Sequence, residues 1–150
     1  MDNSDIVKEL RSLCQLDIDA IHAYNECLKH IDITVIKKDV EQFRADHERH
    51  VKDLSALIHS FKEKAPEFSP DLKGYMLDVF SKLRSLTGTE GALKSLRGGE
   101  NLTNKRYARA IDLDFPANIK NVIAANYKDE QRHLKYVEEA IDNKIWKKAA

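Results

Sequence analysis

The sequence predicts an all-α fold, an antiparallel four-helix bundle with one long crossover, and three observations lead there. Glycine and proline are scarce, five and three in 150 residues, and nearly all of them mark a few breaks: Pro66 and Pro70, Gly88 and Gly91, Gly98 and Gly99, and Pro116. Between the breaks, apolar residues recur three and four apart, which sets them on one helical stripe at ~100° per residue. The breaks also leave one very short connection and one long one, as expected for two antiparallel helix pairs joined by a crossover. No strand is required.

The first helix is predicted over residues 4–30, with Ile6, Leu10, Leu13, Asp17, Ile21, Tyr24, Leu28 and Ile31 on its stripe. A second follows almost at once, over residues 33–63, carrying Ile36, Val40, Phe43, His47, His50, Val51, Leu54, Ile58 and Phe61. So short a turn forces the two to pair antiparallel. After Pro66, the segment DLKGYMLDVFSKLRSL has its own apolar spacing and a start signal in Ser69, Pro70 and Asp71, so an extra helix is expected within the crossover. The third bundle helix runs from near Thr89 to Leu113 with Leu93, Leu96, Glu100, Tyr107 and Ile111 on one stripe. Gly98 and Gly99 fall inside it and cost on the order of 1 kcal/mol each against alanine, which makes this the least favoured of the helices and a place where a break is plausible. Asp114 and Pro116 suit a cap and first-turn proline for the last helix, which carries Ile119, Ile123, Glu130, His133, Leu134, Val137 and Ile141 and extends to residue 146.

A chain of this length suits one domain, residues 1–150, with a full core. Its 25 basic and 25 acidic residues cancel, so no net field favours nucleic acid or an anionic membrane. The apolar runs are too short to span a bilayer, and the stretch MDNSDIVKEL lacks the basic start and the apolar stretch of a signal peptide. A cytoplasmic protein is expected, with a homodimer as the default assembly. Cys14 and Cys27 would stand roughly 20 Å apart along one helix, so they cannot pair within it and read as reduced thiols. Trp146, among lysines in KIWKKAA, reads as a partly packed helix end rather than a membrane anchor.

The apolar stripes are interrupted by polar residues. Asp17 lies between Leu13 and Ile21; His47 and His50 share the face of the second helix, and Glu130 and His133 that of the fourth, with Glu100 on the third. If the stripes meet, three carboxylates and three imidazoles converge in one core layer, where unpaired burial is costly. Two divalent cations would satisfy them, since carboxylate and imidazole suit iron, manganese or zinc. A lone E-x-x-H is more often a solvated helix face. Here, however, DHERH (residues 46–50) is echoed by DEQRH (residues 129–133), and the offset of 83 residues that carries His47 to Glu130 also carries Asp17 to Glu100 and Tyr24 to Tyr107. Asp46 falls on Asp129, Arg49 on Arg132, Val51 on Leu134 and Ile58 on Ile141 at the same offset.

This pattern resembles the ferritin-like superfamily, in its bacterioferritin and rubrerythrin branches. There the first and third helices carry an acid followed seven residues later by an aromatic, and the second and fourth carry E-x-x-H. The chain matches with Asp17 and Tyr24, Glu100 and Tyr107, and Glu130 and His133. The stretch GTEGALKSLRGGENLTNKRYARAID, followed by a proline and a long last helix, is similar to a bacterial family of ferritin-like four-helix proteins, and this likeness covers nearly the whole chain. The resemblance implies a di-metal centre of two iron ions that reacts with O2 or peroxide, with Glu100 and Glu130 bridging or chelating and Asp17, His50 and His133 as terminal ligands. It also implies that Tyr24 and Tyr107, otherwise core aromatics, each hydrogen-bond a ligating carboxylate of the other half.

Two positions depart from the family pattern. Asp17 is a methylene shorter than glutamate, and His47 stands where a bridging glutamate is expected, as an added terminal ligand or a spoiler. Glu48 is rotated ~100° from His47 and points outward. Zinc or manganese in place of iron, a structural zinc site, and a metal-poor bundle serving as an interaction or stress module all stay open. Asn126 is expected to make a core hydrogen bond, and His22, His30 and His59 to lie on the surface.

Overall fold

The sequence begins with a ready-made helix start: the Asp2 side chain accepts a hydrogen bond from the Asp5 N–H at 2.8 Å, capping α1 (Asn3–Leu28). In the computed structural model, which describes residues 1–71 and 88–148, four more helices follow: α2 (Thr34–Ser60), α3 (Gly88–Ile111), α4 (Ala117–Asp142) and the single turn α5 (Ile145–Lys148). No strand occurs among the described residues. The extra helix expected after Pro70 lies outside them.

Every residue of the predicted α1 stripe is buried. So are Cys14, Leu16, Ile18, Asp19, Ala20, Ala23 and Cys27, so α1 is enclosed on more than one side. Part of its outer face is covered by the chain that follows α2: the Phe68 ring lies 4.8 Å from that of His22, Gln15 Nε2 donates to the Ser69 carbonyl at 3.0 Å, and Asp19 accepts from the Asp71 N–H at 2.9 Å. α2 ends where Lys62 turns left-handed at φ 61°.

α3 passes unbroken through Gly98 and Gly99, as its stripe predicts. Burial of Leu93, Leu96, Glu100, Thr103 and Tyr107 along one face supplies what two glycines cost. The start of α4 differs from expectation. Asp114 is exposed and caps nothing; Pro116 is itself the cap residue, its carbonyl accepting from Ile119 and Lys120 at 3.1 and 2.9 Å, while buried Phe115 anchors the turn. At the other end α4 stops at Asp142 instead of running to residue 146, because Lys144 adopts φ 47° and the chain turns. That turn lays Ile145 and Trp146, both half-buried, against the core.

Cross-helix pairs give the directions. Arg44 of α2 donates to Asn25 late in α1, whereas Val51 meets Cys14 earlier in α1, so the two run antiparallel. Tyr24 reaches Glu100 and Tyr107 reaches Asp17, so α1 and α3 are antiparallel as well. Thr103 meets Glu130 and Tyr107 meets Asn126 between α3 and α4; Asp39 meets Tyr136 and Asp46 meets Arg132 between α2 and α4. With every neighbouring pair antiparallel, the diagonal helices α2 and α3 point the same way, so the end of α2 and the start of α3 lie at opposite ends of the bundle. This is the one-crossover bundle that the connection lengths predict.

The core falls into two apolar clusters. One gathers Ala23, Cys27, Leu28, Ile36, Val40, Phe43, Leu93, Leu96 and Val137; the other Ile6, Leu10, Leu13, Leu54, Ile58, Phe115, Ile119 and Ile123. Between them lies a layer of polar side chains.

Candidate metal centre

That layer contains the six residues singled out in the sequence. Asp17, His47, His50, Glu130 and His133 are 0% exposed and Glu100 is 1% exposed, so water solvates none of them and each must be satisfied by its neighbours. α1 supplies Asp17, α2 supplies His47 and His50 one turn apart, α3 supplies Glu100, and α4 supplies Glu130 and His133. The stripes that bury these helices carry the six inward.

They sort into two overlapping sets of four whose donor atoms lie within 4.8 Å of one another: Asp17, His47, His50 and Glu130, and His47, Glu100, Glu130 and His133. In the first set His47 Nδ1 and His50 Nδ1 stand 2.7 and 3.0 Å from Asp17 Oδ1, and each 3.3 Å from Glu130 Oε1. In the second, Glu100 Oε1 is 3.2 Å from His47 Nε2 and 3.5 Å from His133 Nδ1, which is 3.6 Å from Glu130 Oε2. The residues common to both sets are Glu130 and His47. Glu100 belongs to the second set alone, its other oxygen turned to the Thr103 hydroxyl at 3.2 Å. Glu48 faces outward, 3.7 Å from Arg44.

Around this centre is a ring of groups whose role the residue types alone did not reveal. His50 Nε2 lies 2.9 Å from Asp129 Oδ2 and His133 Nε2 lies 2.8 Å from Asp46 Oδ2, so each histidine is held by the aspartate of the other motif. Arg132 reaches Asp46 at 2.7 Å and Asp129 at 3.1 Å; Arg49 reaches Asp46 at 3.1 Å and also pairs with Asp129. The signal was in the repeat: Asp46, Arg49 and His50 match Asp129, Arg132 and His133, and the helices cross so that each motif completes the other.

Hydrogen-bond donors hold the carboxylates from the apolar sides. Tyr24 donates to Glu100 Oε1, and Tyr107 donates to Asp17 Oδ2 at 2.5 Å while accepting from Asn126 at 3.3 Å. Thr103 sits within 3.1 to 3.2 Å of Glu100 Oε2, Glu130 Oε2 and the Glu100 carbonyl. Asn104 joins α3 to α4 through the Glu100 and Glu130 carbonyls at 2.8 and 2.9 Å. Two fully buried atoms in the layer nonetheless lack a hydrogen-bond partner, Glu130 Oε1 and His133 Nδ1, one in each set.

Mutual pairing decides the charges. Burial opposes charge on His50 and His133, yet Asp17 and Asp129 lift the first to about 10, and Asp46, Glu100 and Glu130 lift the second to about 9. Burial likewise opposes the charge on His47, but the charge of Glu130 and the hydrogen bonds of Asp17 and Glu100 raise it well above the ordinary histidine value. Asp17 and Glu100 are held well below the carboxylate range, the imidazoles outweighing burial. Glu130 is raised, because burial, joined by the charge of Glu100, outweighs His47. Burial, then the charge of Asp17, pushes Tyr107 far up, so it stays a protonated donor. At neutral pH without metal, the imidazolium charges of His47, His50 and His133 thus face the carboxylates of Asp17 and Glu100, while Glu130 is the acid that burial inclines toward its neutral form; two guanidiniums face two aspartates.

The remaining histidines lie away from the layer. His59 is exposed and His22 and His30 are half-buried, the ring of His22 packing on Phe68 with its Nε2 atom buried and without a hydrogen bond. Cys14 and Cys27 are buried free thiols. No helix among the described residues is long and apolar enough to cross a membrane.

The architecture and the layer define a helical-bundle protein with buried histidine and carboxylate clusters that could hold a metal. The sequence matches the family described as a domain of unknown function, DUF2383, over residues 5–113, and the chain belongs to that family. Asp17, His47, His50 and Glu100 fall within the matched residues; Glu130 and His133 lie beyond them. No curated protein matches the sequence.

Proposed function

We propose that this chain is a ferritin-like metalloprotein of the reducing cytoplasm whose polar layer holds two iron ions that react with O2 or peroxide. The observation that carries the reading is the convergence of two four-residue donor sets in which Glu130 Oε1 and His133 Nδ1 are fully buried and make no hydrogen bond, only ion-pair contacts of 3.3 to 3.6 Å. A layer meant only to be hydrogen-bonded would bring these atoms into regular hydrogen bonds. The donor chemistry fits, since imidazole nitrogen and carboxylate oxygen both suit iron.

In this reading His50 and His133 bind through Nδ1, and Asp129 and Asp46 hold their Nε2–H groups, fixing tautomer and ring plane. Tyr107 and Tyr24 fix Asp17 and Glu100 in the same way. The apolar clusters above and below keep water out, which strengthens every charge interaction inside. Two ferrous ions supply two electrons, enough with two protons to take O2 to peroxide or peroxide to water. The buried free thiols Cys14 and Cys27 support the reducing compartment.

A structural zinc site is the second reading, favoured by the make-up of each set: two imidazoles and two carboxylates, four donors of the kind tetrahedral zinc accepts. Metal analysis after anaerobic Fe(II) loading separates the two. Near two irons per chain, lost in Glu130→Ala and His50→Ala, with a ferric absorption developing in air, is the expected result. Failure to take up iron overturns the proposal, and tightly held zinc with no change in air supports the structural site.

A further inference from the structure

His47 lies where the two donor sets meet, and its two ring nitrogens face different sets. Nδ1 is 2.7 Å from Asp17 Oδ1 and 3.3 Å from Glu130 Oε1, while Nε2 is 3.2 Å from Glu100 Oε1. His50 and His133 behave otherwise: each turns Nδ1 inward and commits Nε2 to a rim aspartate. The His47 ring is completely buried, so neither nitrogen is left to solvent. Its counterpart in the repeat, Glu130, is the other residue common to both sets, turning Oε1 to the first and Oε2 to the second. The two motifs therefore place their equivalent residues at the two central positions.

Resting on the two-metal reading above, we propose that His47 bridges the metals as an imidazolate, with Nδ1 on the metal of the first set and Nε2 on that of the second. For this the ring gives up both nitrogen-bound protons to the solution, and a lone pair on each nitrogen forms a bond to one dication. No electron is transferred. The positive charge that balanced Asp17, Glu100 and Glu130 passes from imidazolium to the metals, so the layer is not left with uncompensated carboxylates. The lone pairs of the ring leave it in diverging directions, so the bridged metals stand farther apart than a shared carboxylate would hold them. His47 in the place of a glutamate thus changes the spacing of the pair instead of abolishing its second member.

Copper(II) alone is the probe, because an imidazolate couples the spins of two coppers. Metal-free protein titrated with copper and followed by electron paramagnetic resonance should show an isolated-copper signal at one ion per chain and its loss at two. His47→Ala should show uncoupled copper. Coupling that survives in His47→Ala, uncoupled copper in the parent, or saturation of the parent at one ion per chain each overturns the bridge while leaving a metal site in place. No copper uptake at all overturns the site itself and the bridge with it. The unaltered chain answers independently: with two zinc ions bound, ¹⁵N resonance should show metal on both His47 nitrogens and no ring N–H, and a surviving N–H overturns the proposal.

Discussion

Asp46 and Asp129 illustrate how residue-scale detail sets the centre's behaviour. Both are partly exposed, yet each takes the Nε2 atom of a buried histidine from the other motif and an arginine from both helices. Replacing either by asparagine keeps its size but removes the charge that orients the ring. Asp46→Asn and Asp129→Asn should each weaken metal binding by about 10- to 100-fold. Competition against a chelator of known affinity measures this, and unchanged affinity in both would show that the aspartates only decorate the rim. At the same scale, Tyr107→Phe leaves Asp17 Oδ2 without its 2.5 Å donor and Asn126 without its acceptor. The loss should be about 1–3 kcal/mol of stability in the metal-free protein, read from urea unfolding.

At the scale of the element, α3 shows packing prevailing over propensity. Gly98 is exposed, helical, and has nothing within 4 Å of where a Cβ would stand. Gly98→Ala should therefore stabilise the protein by about 0.5–1 kcal/mol, with metal content unchanged. Thermal unfolding tests it, and a destabilised variant would show that the open space is needed. Gly88 is the contrary case: at φ +73° a side chain is strained whatever the room, so Gly88→Ala should destabilise. The paired outcome separates the backbone requirement from the spatial one.

At the scale of the whole molecule, proton and metal binding compete for one layer. His50 and His133, held up to about 10 and about 9, are protonated at neutral pH in the metal-free chain, and ligation requires their Nδ1 protons to leave. Metal uptake should release protons in weak buffer, and affinity should climb between pH 6 and pH 9. A flat affinity across that range would contradict the assignment. The sign for stability is the reverse. Folded values raised above the ordinary 6.5 mean that these histidines stabilise the metal-free fold fully below 6.5, a contribution lost as pH rises through about 9 to 10. Asp46, depressed by His133 and Arg132 against the effect of burial, stabilises above the ordinary carboxylate value and ceases to do so in acid. Metal-free protein should therefore unfold more readily at both ends of the range. Metal at a hundredfold its dissociation constant should add about 2.7 kcal/mol.

Much of this was legible without coordinates. Periodicity alone located four helices within a few residues, because a helix that buries one stripe must repeat every three or four positions, and Asp17, His47, His50, Glu100, Glu130 and His133 were visible as polar residues out of place on those stripes. The short first connection and the long second one already dictated the pairing of helices. What a linear sequence cannot express is which atoms face which across the core. Only the folded bundle decided that Asp46 and Asp129 cross over to the opposite histidines, that Thr103 draws Glu100 to one side, and that His47 stands in both donor sets. It also decided that α3 survives its glycines while α4 yields at Lys144, since burial over a whole helical face outweighs a local preference and a helix end has no such face to hold it.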